Sequence, residues 1–508
     1  MPALFLGVLL VAPLASVLRH AFDQPSGLDL GTTGGIAALA ALQAAISTAL
    51  ALLIGLPIAG ILATYRFRGR GLLQALATVP FVLPTVVIAL AFRGLLGARI
   101  EPGLLLVILA HVYINLAVIV RIVGANWQQL DPRTALAARS LGASPLTAFR
   151  TITLPELKAS ITSAAAVVFV FCFSSLGVVL ILGDSGTRTL ESQILRQTSL
   201  LLDFPAAAVT ALLQIAVVSA ALLLGARASM TRTRFGAAAR ATPAPRPRSV
   251  RARVHVAVVA TIALVILLLP LLSLASASLR SEHGWTLEWW RSVASIDAGT
   301  TRLGSPVEAI ATSVRYALIT GVIASVVGVL AAMSVLAHRL GRAIAVIALA
   351  PLGVSAATLG LGMMLTFGRP PLDLRATALL VPLAHSLVAV PLVIAVVLPS
   401  LRSGDARLVR AAASLGAAPT RAFLTAYGPI LRVVMIAAGG LAACVSLGEF
   451  GAASFLARTD APTVPVQIVR LLQRPGEASV GVASALAMLL VVGTLVLVSA
   501  VDALGRRR

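Results

Sequence analysis

Runs of roughly 17 to 25 mostly apolar residues recur from end to end of this chain, each about the length a helix needs to cross a bilayer. A sequence built this way cannot hide its apolar surface in a water-soluble core, because 59% of its 508 residues are hydrophobic and only 11% are charged. The runs are rich in Ala, Leu and Val, contain internal Gly and Pro, and lack the two-residue alternation of a membrane barrel. The fold expected is therefore all-α and polytopic. About 12 transmembrane helices are read, near residues 3–19, 36–64, 72–98, 104–125, 159–183, 206–225, 254–275, 308–337, 343–367, 377–400, 434–457 and 478–504. The first segment lacks the basic stretch that precedes a cleavable leader, so it is read as a span.

Basic residues set the expected orientation. With the N-terminus in the cytoplasm, the segments on that side hold 25 of the 40 Lys and Arg residues, and the even number of spans brings the C-terminus back to the same side. Acidic residues, among them Glu101, Asp184, Asp203, Asp373 and Glu477, fall opposite. The net charge of +22 then belongs to loops lying against a bilayer, so the bilayer is an expected partner and nucleic acid is not. Cys172 and Cys444, one in each half, are read as small packing residues inside spans rather than as a disulfide.

Two polar stretches read almost alike. Ala137-Ala138-Arg139-Ser140-Leu141-Gly142-Ala143 recurs 274 residues later as Ala411-Ala412-Ala413-Ser414-Leu415-Gly416-Ala417. The same offset aligns Asp131 with Asp405, Pro145 with Pro419, Phe149 with Phe423, Pro155 with Pro429, and His111 with His385. A register kept over so long a stretch indicates a duplication. The expected domains are residues 1–225, with a loop at 131–158, and residues 254–508, with a loop at 405–432. Residues 226–253, with eight arginines and a Pro-rich run, are expected to be a cytoplasmic linker. Six spans per half make the repeats parallel, related by a pseudo-twofold axis along the membrane normal, with a path at their interface.

Each repeated loop has the signals of a short helix. Asp131-Pro132 supplies a capping carboxylate and a proline suited to the first turn, Ala137 and Ala138 give a small-residue face, and Gly142 supplies a left-handed exit. Pro155 is expected to begin the return to the membrane. Asp405, Ala411, Ala412, Gly416 and Pro429 repeat the design.

A pair of alanines followed by Leu-Gly-Ala, with a proline about a dozen residues later ahead of an apolar span, resembles the coupling loop of the permease subunits of ATP-binding-cassette (ABC) importers. The resemblance covers roughly residues 36–225 and 308–504 and is to the form that fuses two permease domains in one chain. It implies a type I importer permease in the inner membrane, acting with two copies of a cytoplasmic ATPase subunit and an extracytoplasmic solute-binding protein. The coupling residues it implies are Ala137, Ala138, Leu141, Gly142 and Pro155, then Ala411, Ala412, Leu415, Gly416 and Pro429. Leu136 and Arg410 stand where the family has a glutamate, so no ion pair to the ATPase is carried over at that point.

The chain holds one lysine, Lys158, and no Gly-Lys-Ser/Thr, so no phosphate-binding loop is expected in it. It is not expected to be an enzyme, and ATP and Mg would be held by the partner ATPase. No metal site stands out. Glu449, in Gly448-Glu449-Phe450-Gly451, is the acidic residue deepest in a span. Together with Gly177 at the matching place in the first half, these residues are expected either to line a translocation path or, for Glu449, to bond backbone at a helix kink. Residues 171–177, 189–194 and 203–208 are more similar to thiamine permeases than to ferric-iron ones. The resemblance therefore implies thiamine as cargo, with ferric iron the alternative. A carrier driven by an ion gradient is the competing class.

Overall fold

The computed structural model describes residues 5–23, 27, 29–97, 99–230, 245–294, 305–337, 347–368, 373–375, 377–402 and 406–506. Asp405, residues 231–244 of the expected linker and residues 343–346 of one expected span lie outside them. Among the described residues nine helices are long and apolar enough to cross a membrane: Gly31–Thr64, Leu104–Trp127, Pro145–Phe173, Phe204–Ala228, Val250–Ala277, Pro306–Leu336, Leu380–Arg402, Arg421–Gly448 and Glu477–Val501. Among the described residues the fold is all-α apart from a small hairpin pairing Arg280–Ser281 with Gly284–Trp285.

The twelve expected spans become nine to eleven, for three local reasons. The run at 72–98 is two helices, Arg70–Val82 and Thr85–Leu96, bent by 107°. Pro84, extended at φ −57° and ψ 138°, has no N–H to continue the first helix and caps the second. The run at 343–367 likewise bends by 111° between Ile347–Gly353 and Ala356–Phe367. There Val354 is extended, and Ser355 Oγ accepts from Thr358 N at 3.1 Å to start the new helix. At 3–19 a π-turn, Gly7–Val11, leads into Ala12–Asp23, whose 12 residues fall short of a span by themselves.

Packing divides the chain into two compact units. The first comprises Asp29–Ser192 and Ala216–Ser276. Its helix Leu30–Thr64 lies along Leu104–Trp127, and both pack on Leu154–Phe173. Small residues permit the approach: a Cβ added at Gly55 would sit 2.9 Å from Ile119 Cγ2. Val250–Ala277 joins this unit through Tyr113, whose hydroxyl donates to the Leu267 carbonyl at 3.1 Å.

The second unit comprises Met1–Leu28, Gln193–Ile215 and Ala277–Arg508. Its core repeats the first, with Pro306–Ala337 packed on Leu380–Arg402 and Pro419–Gly448. Gly328 meets Val393 here, the residue aligned with Ile119. Ala12–Asp23 packs on Ala356–Phe367, where Gly362 leaves room for Pro13. The expected domains divide at residues 226–253, whereas the compact units each draw on both halves of the sequence. The opening segment joins the unit built mainly from the later half, and the helix that opens the later half joins the unit built mainly from the earlier one.

Candidate functional site

In the first repeated loop the Asp131 carboxylate accepts from Arg133 N at 2.9 Å, Pro132 occupies the first helical position, and the helix runs Pro132–Ser140. Its exit is fixed by two backbone bonds: Gly142 N donates to Arg139 O at 3.1 Å, and Ala143 N donates to Ala138 O at 3.0 Å. That pair is a Schellman turn, and it needs a left-handed residue, which Gly142 supplies at φ +92°. The second loop repeats this bond for bond after the helix Ala406–Ser414. Gly416 N donates to Ala413 O and Ala417 N to Ala412 O, both at 3.0 Å, with Gly416 at φ +83°. Ser140 and Ser414 each donate to the carbonyl three residues back, at 2.8 Å.

These turns hold apolar side chains in the open. Leu141 is 88% exposed and Leu415 is 89% exposed. Ala137 and Ala411 are exposed beside them, and Ala138 and Ala412 are half-buried. Leu136 and Arg410, the non-matching pair, are exposed as well. Two rigid, solvent-facing leucines framed by alanines can offer a partner a small apolar contact that needs no rearrangement of the loop. Replacing Asp131 with Ala should remove one cap at a cost of about 1 kcal/mol. The check is faster amide exchange in the helix Pro132–Ser140, with the membrane spans unchanged.

The return to the membrane does not begin at Pro155 or Pro429. The returning helices start ten residues earlier, at Pro145 and Pro419, and the two prolines lie inside them. Pro155 is accommodated because a π-turn, Phe149–Thr153, precedes it, with Leu154 N bonded to Phe149 O five residues back. Aromatic pairs not singled out in the sequence brace both returns: Trp127 stacks on Phe149 with centroids 5.9 Å apart, and Phe423 on Tyr427 at 4.9 Å. The alignment of Phe149 with Phe423 was the available signal.

At its far end each returning helix breaks. Pro419–Gly448 stops at Glu449, and Gly451–Leu456 starts two residues on. The buried Glu449 carboxylate accepts from Ala452 N at 3.0 and 3.2 Å and from Ala453 N at 3.2 Å, which satisfies amides at the start of the new helix. These bonds are the ones expected of a glutamate bonded to backbone at a helix kink. His385 Nε2 lies 3.3 Å from Glu449 Oε2 without hydrogen-bond alignment, while Nδ1 is 2.8 Å from Ser446 Oγ. Ser446 was missed, although it aligns with Cys172.

In the first half Leu154–Phe173 breaks before Gly177–Leu182, with Ser175 in place of the glutamate and its carbonyl bonded by Thr189 Oγ1 at 3.3 Å. His111 there meets Gln43 Nε2 at 2.6 Å, and Asn115 Nδ2 donates to Cys172 Sγ at 3.3 Å. Among the described residues no group of three or more His, Cys, Asp or Glu side chains could hold a metal ion.

Residues 51–234 match the family model described as "Binding-protein-dependent transport system inner membrane component". The sulfate transport system permease protein CysT of Salmonella typhimurium is 28% identical over 256 residues, 46% of this chain and 90% of that one. A probable molybdenum ABC transporter permease of Haloferax volcanii is 31% identical over 205 residues, covering 38% of this chain and 76% of that one. The thiamine transport system permease protein ThiP of Brucella abortus is 32% identical over 188 residues, 34% of each chain.

Proposed function

This chain belongs to the inner-membrane permeases of binding-protein-dependent ABC importers, and from that premise we propose that its two matched loops dock a separate ATPase that drives a small solute along a path between its repeats. The observation that carries the proposal is the pair of turns around Gly142 and Gly416, bonded alike at both ends of the duplication. A homodimeric ATPase presents two equal grooves, and two equal turns fit them. ATP and Mg would be held by that partner, and an extracytoplasmic binding protein would deliver cargo on the opposite face, with both termini of this chain cytoplasmic.

The chain's own contribution is mechanical. A turn locked by two backbone bonds passes on a displacement rather than absorbing it, and each turn leads into a continuous helix. Pro145–Phe173, at 29 residues, spans about 43 Å. That helix ends at the break before Gly177, as Pro419–Gly448 ends at Glu449 before Gly451. A push at the loop thus reaches the breaks, where Gly177, Gly448, Glu449 and Gly451 would line or gate the path. In this reading Glu449 holds the break in shape through its backbone bonds.

The proposed cargo is thiamine. An alignment that covers 34% of both chains makes the thiamine permease about as long as this one, whereas 90% of the sulfate permease fits in 46% of this chain. The fused layout thus supports the thiamine reading, as do the acidic residues expected on the outer face. The names of the sulfate and molybdenum permeases favour a second reading, an oxyanion. Cells lacking the gene, given labelled thiamine, ferric iron, sulfate and molybdate in turn, are expected to lose uptake of thiamine alone. Loss of sulfate or molybdate uptake instead would select the second reading, and loss of ferric-iron uptake would select iron.

A further inference from the structure

A groove of about 370 Å³ opens in the first unit, where the turn after Leu30–Thr64 meets the start of Val250–Ala277. Arg66 N donates to the Pro245 carbonyl at 3.0 Å and pins the two segments together. Arg68 and Arg253 stand on the groove wall, and Val256, Ala260 and Leu264 continue it, facing Leu72. The last three lie four residues apart on Val250–Ala277, so they form one stripe about 12 Å long that begins a turn beyond Arg253.

The charge at this end is one-sided: residues 65–71 and 245–257 carry seven arginines and no Asp or Glu. Arg70 is bonded to the Leu62 carbonyl at 3.0 and 2.8 Å. Arg68 and Arg253 are exposed and, among the described residues, their guanidinium groups have no hydrogen-bond or ion-pair partner. Most of the apolar stretch of Val250–Ala277 is not covered by the described residues, which leaves it open to lipid.

We propose that this groove binds an anionic phospholipid, its phosphate between Arg68 and Arg253 and an acyl chain along Val256, Ala260 and Leu264. A free phosphate has no use for the apolar stripe. A zwitterionic lipid would fill the stripe but bring a net charge of zero to the two guanidinium groups. Basic pockets at the ends of membrane helices suit anionic headgroups for these reasons, at about 1 kcal/mol per arginine.

The test uses the purified full chain in detergent, with lipid binding followed by native mass spectrometry and by thermal unfolding. Phosphatidylglycerol should bind and raise the melting temperature, while phosphatidylcholine and glycerol phosphate should do neither. The double variant Arg68→Gln/Arg253→Gln should bind phosphatidylglycerol roughly thirtyfold more weakly, which is two arginines at about 1 kcal/mol each. Ala260→Phe, which fills the stripe and keeps both charges, should lose binding independently and covers the case in which the double variant folds poorly. Equal binding of phosphatidylcholine, competition by glycerol phosphate, or wild-type binding by both variants would overturn the proposal. Uptake is not part of the readout, so failure here leaves the transport reading standing.

Discussion

Replacing Gly142 with Val should cut cargo uptake between about fivefold and thirtyfold, and the same change at Gly416 should do likewise. A β-branched residue in the left-handed region costs roughly 1–2 kcal/mol, a factor of about 5–30 in the population of the formed turn. The preceding helix has nine residues, too few to persist in water without its caps. Its C-terminal turn decides where Leu141 points. A Cβ at Gly142 or Gly416 meets nothing within 4 Å, so the substitution acts through the backbone alone and disturbs no span. The protein should therefore insert in normal amount, measured by membrane blot and gel filtration, while the double variant shows no measurable uptake. Gly142→Ala, with no branch at Cβ, should fall between. Full transport by a correctly inserted double variant would remove the loops from the coupling step.

The second large effect is expected at Glu449. Changing it to Ala leaves the Ala452 and Ala453 amides without their acceptor in a buried site, next to His385. Charged hydrogen bonds of this kind are each worth about 1.5–3 kcal/mol, so the loss should be at least roughly 3 kcal/mol and the melting temperature should drop clearly. Glu449→Gln keeps one carbonyl oxygen for the same amides and should recover much of the stability. Transport by the Gln variant then separates two roles. Uptake in proportion to folded protein assigns Glu449 to holding the helix break, and uptake lost from a fully folded protein assigns it to the path.

Hydropathy made the long spans and the duplication legible, because bilayer length and an offset of 274 residues are properties of the sequence itself. The turns at Gly142 and Gly416 were legible for the same kind of reason, since Leu-Gly after a short alanine-rich segment has few alternatives to a left-handed exit. The bends at Pro84 and Ser355 were not, because an apolar run records length and not direction. Pro155 misled in the opposite sense: a proline in the first turn after a π-bulge costs a helix little. Glu449 stood out as a charge at bilayer depth, but its contact with His385 joins residues on two helices, which no local pattern reveals. Nor does hydropathy tell which apolar face meets lipid and which meets another helix, so the membership of the two compact units was hidden.

That membership imposes an order on synthesis. The segment Ala12–Asp23 leaves the ribosome well ahead of its packing partner, Ala356–Phe367, which is made more than 300 residues later. At about 5–20 residues per second the wait is roughly 15–65 s. The first repeat, for its part, cannot close until Val250–Ala277 has emerged beyond the linker. A half-length chain therefore completes neither unit, and a nascent chain stalled at the linker exposes the unsatisfied faces of both to membrane chaperones and proteases. Carrying both repeats on one polypeptide guarantees that the missing piece of each arrives in the same place, in equal number and without a search.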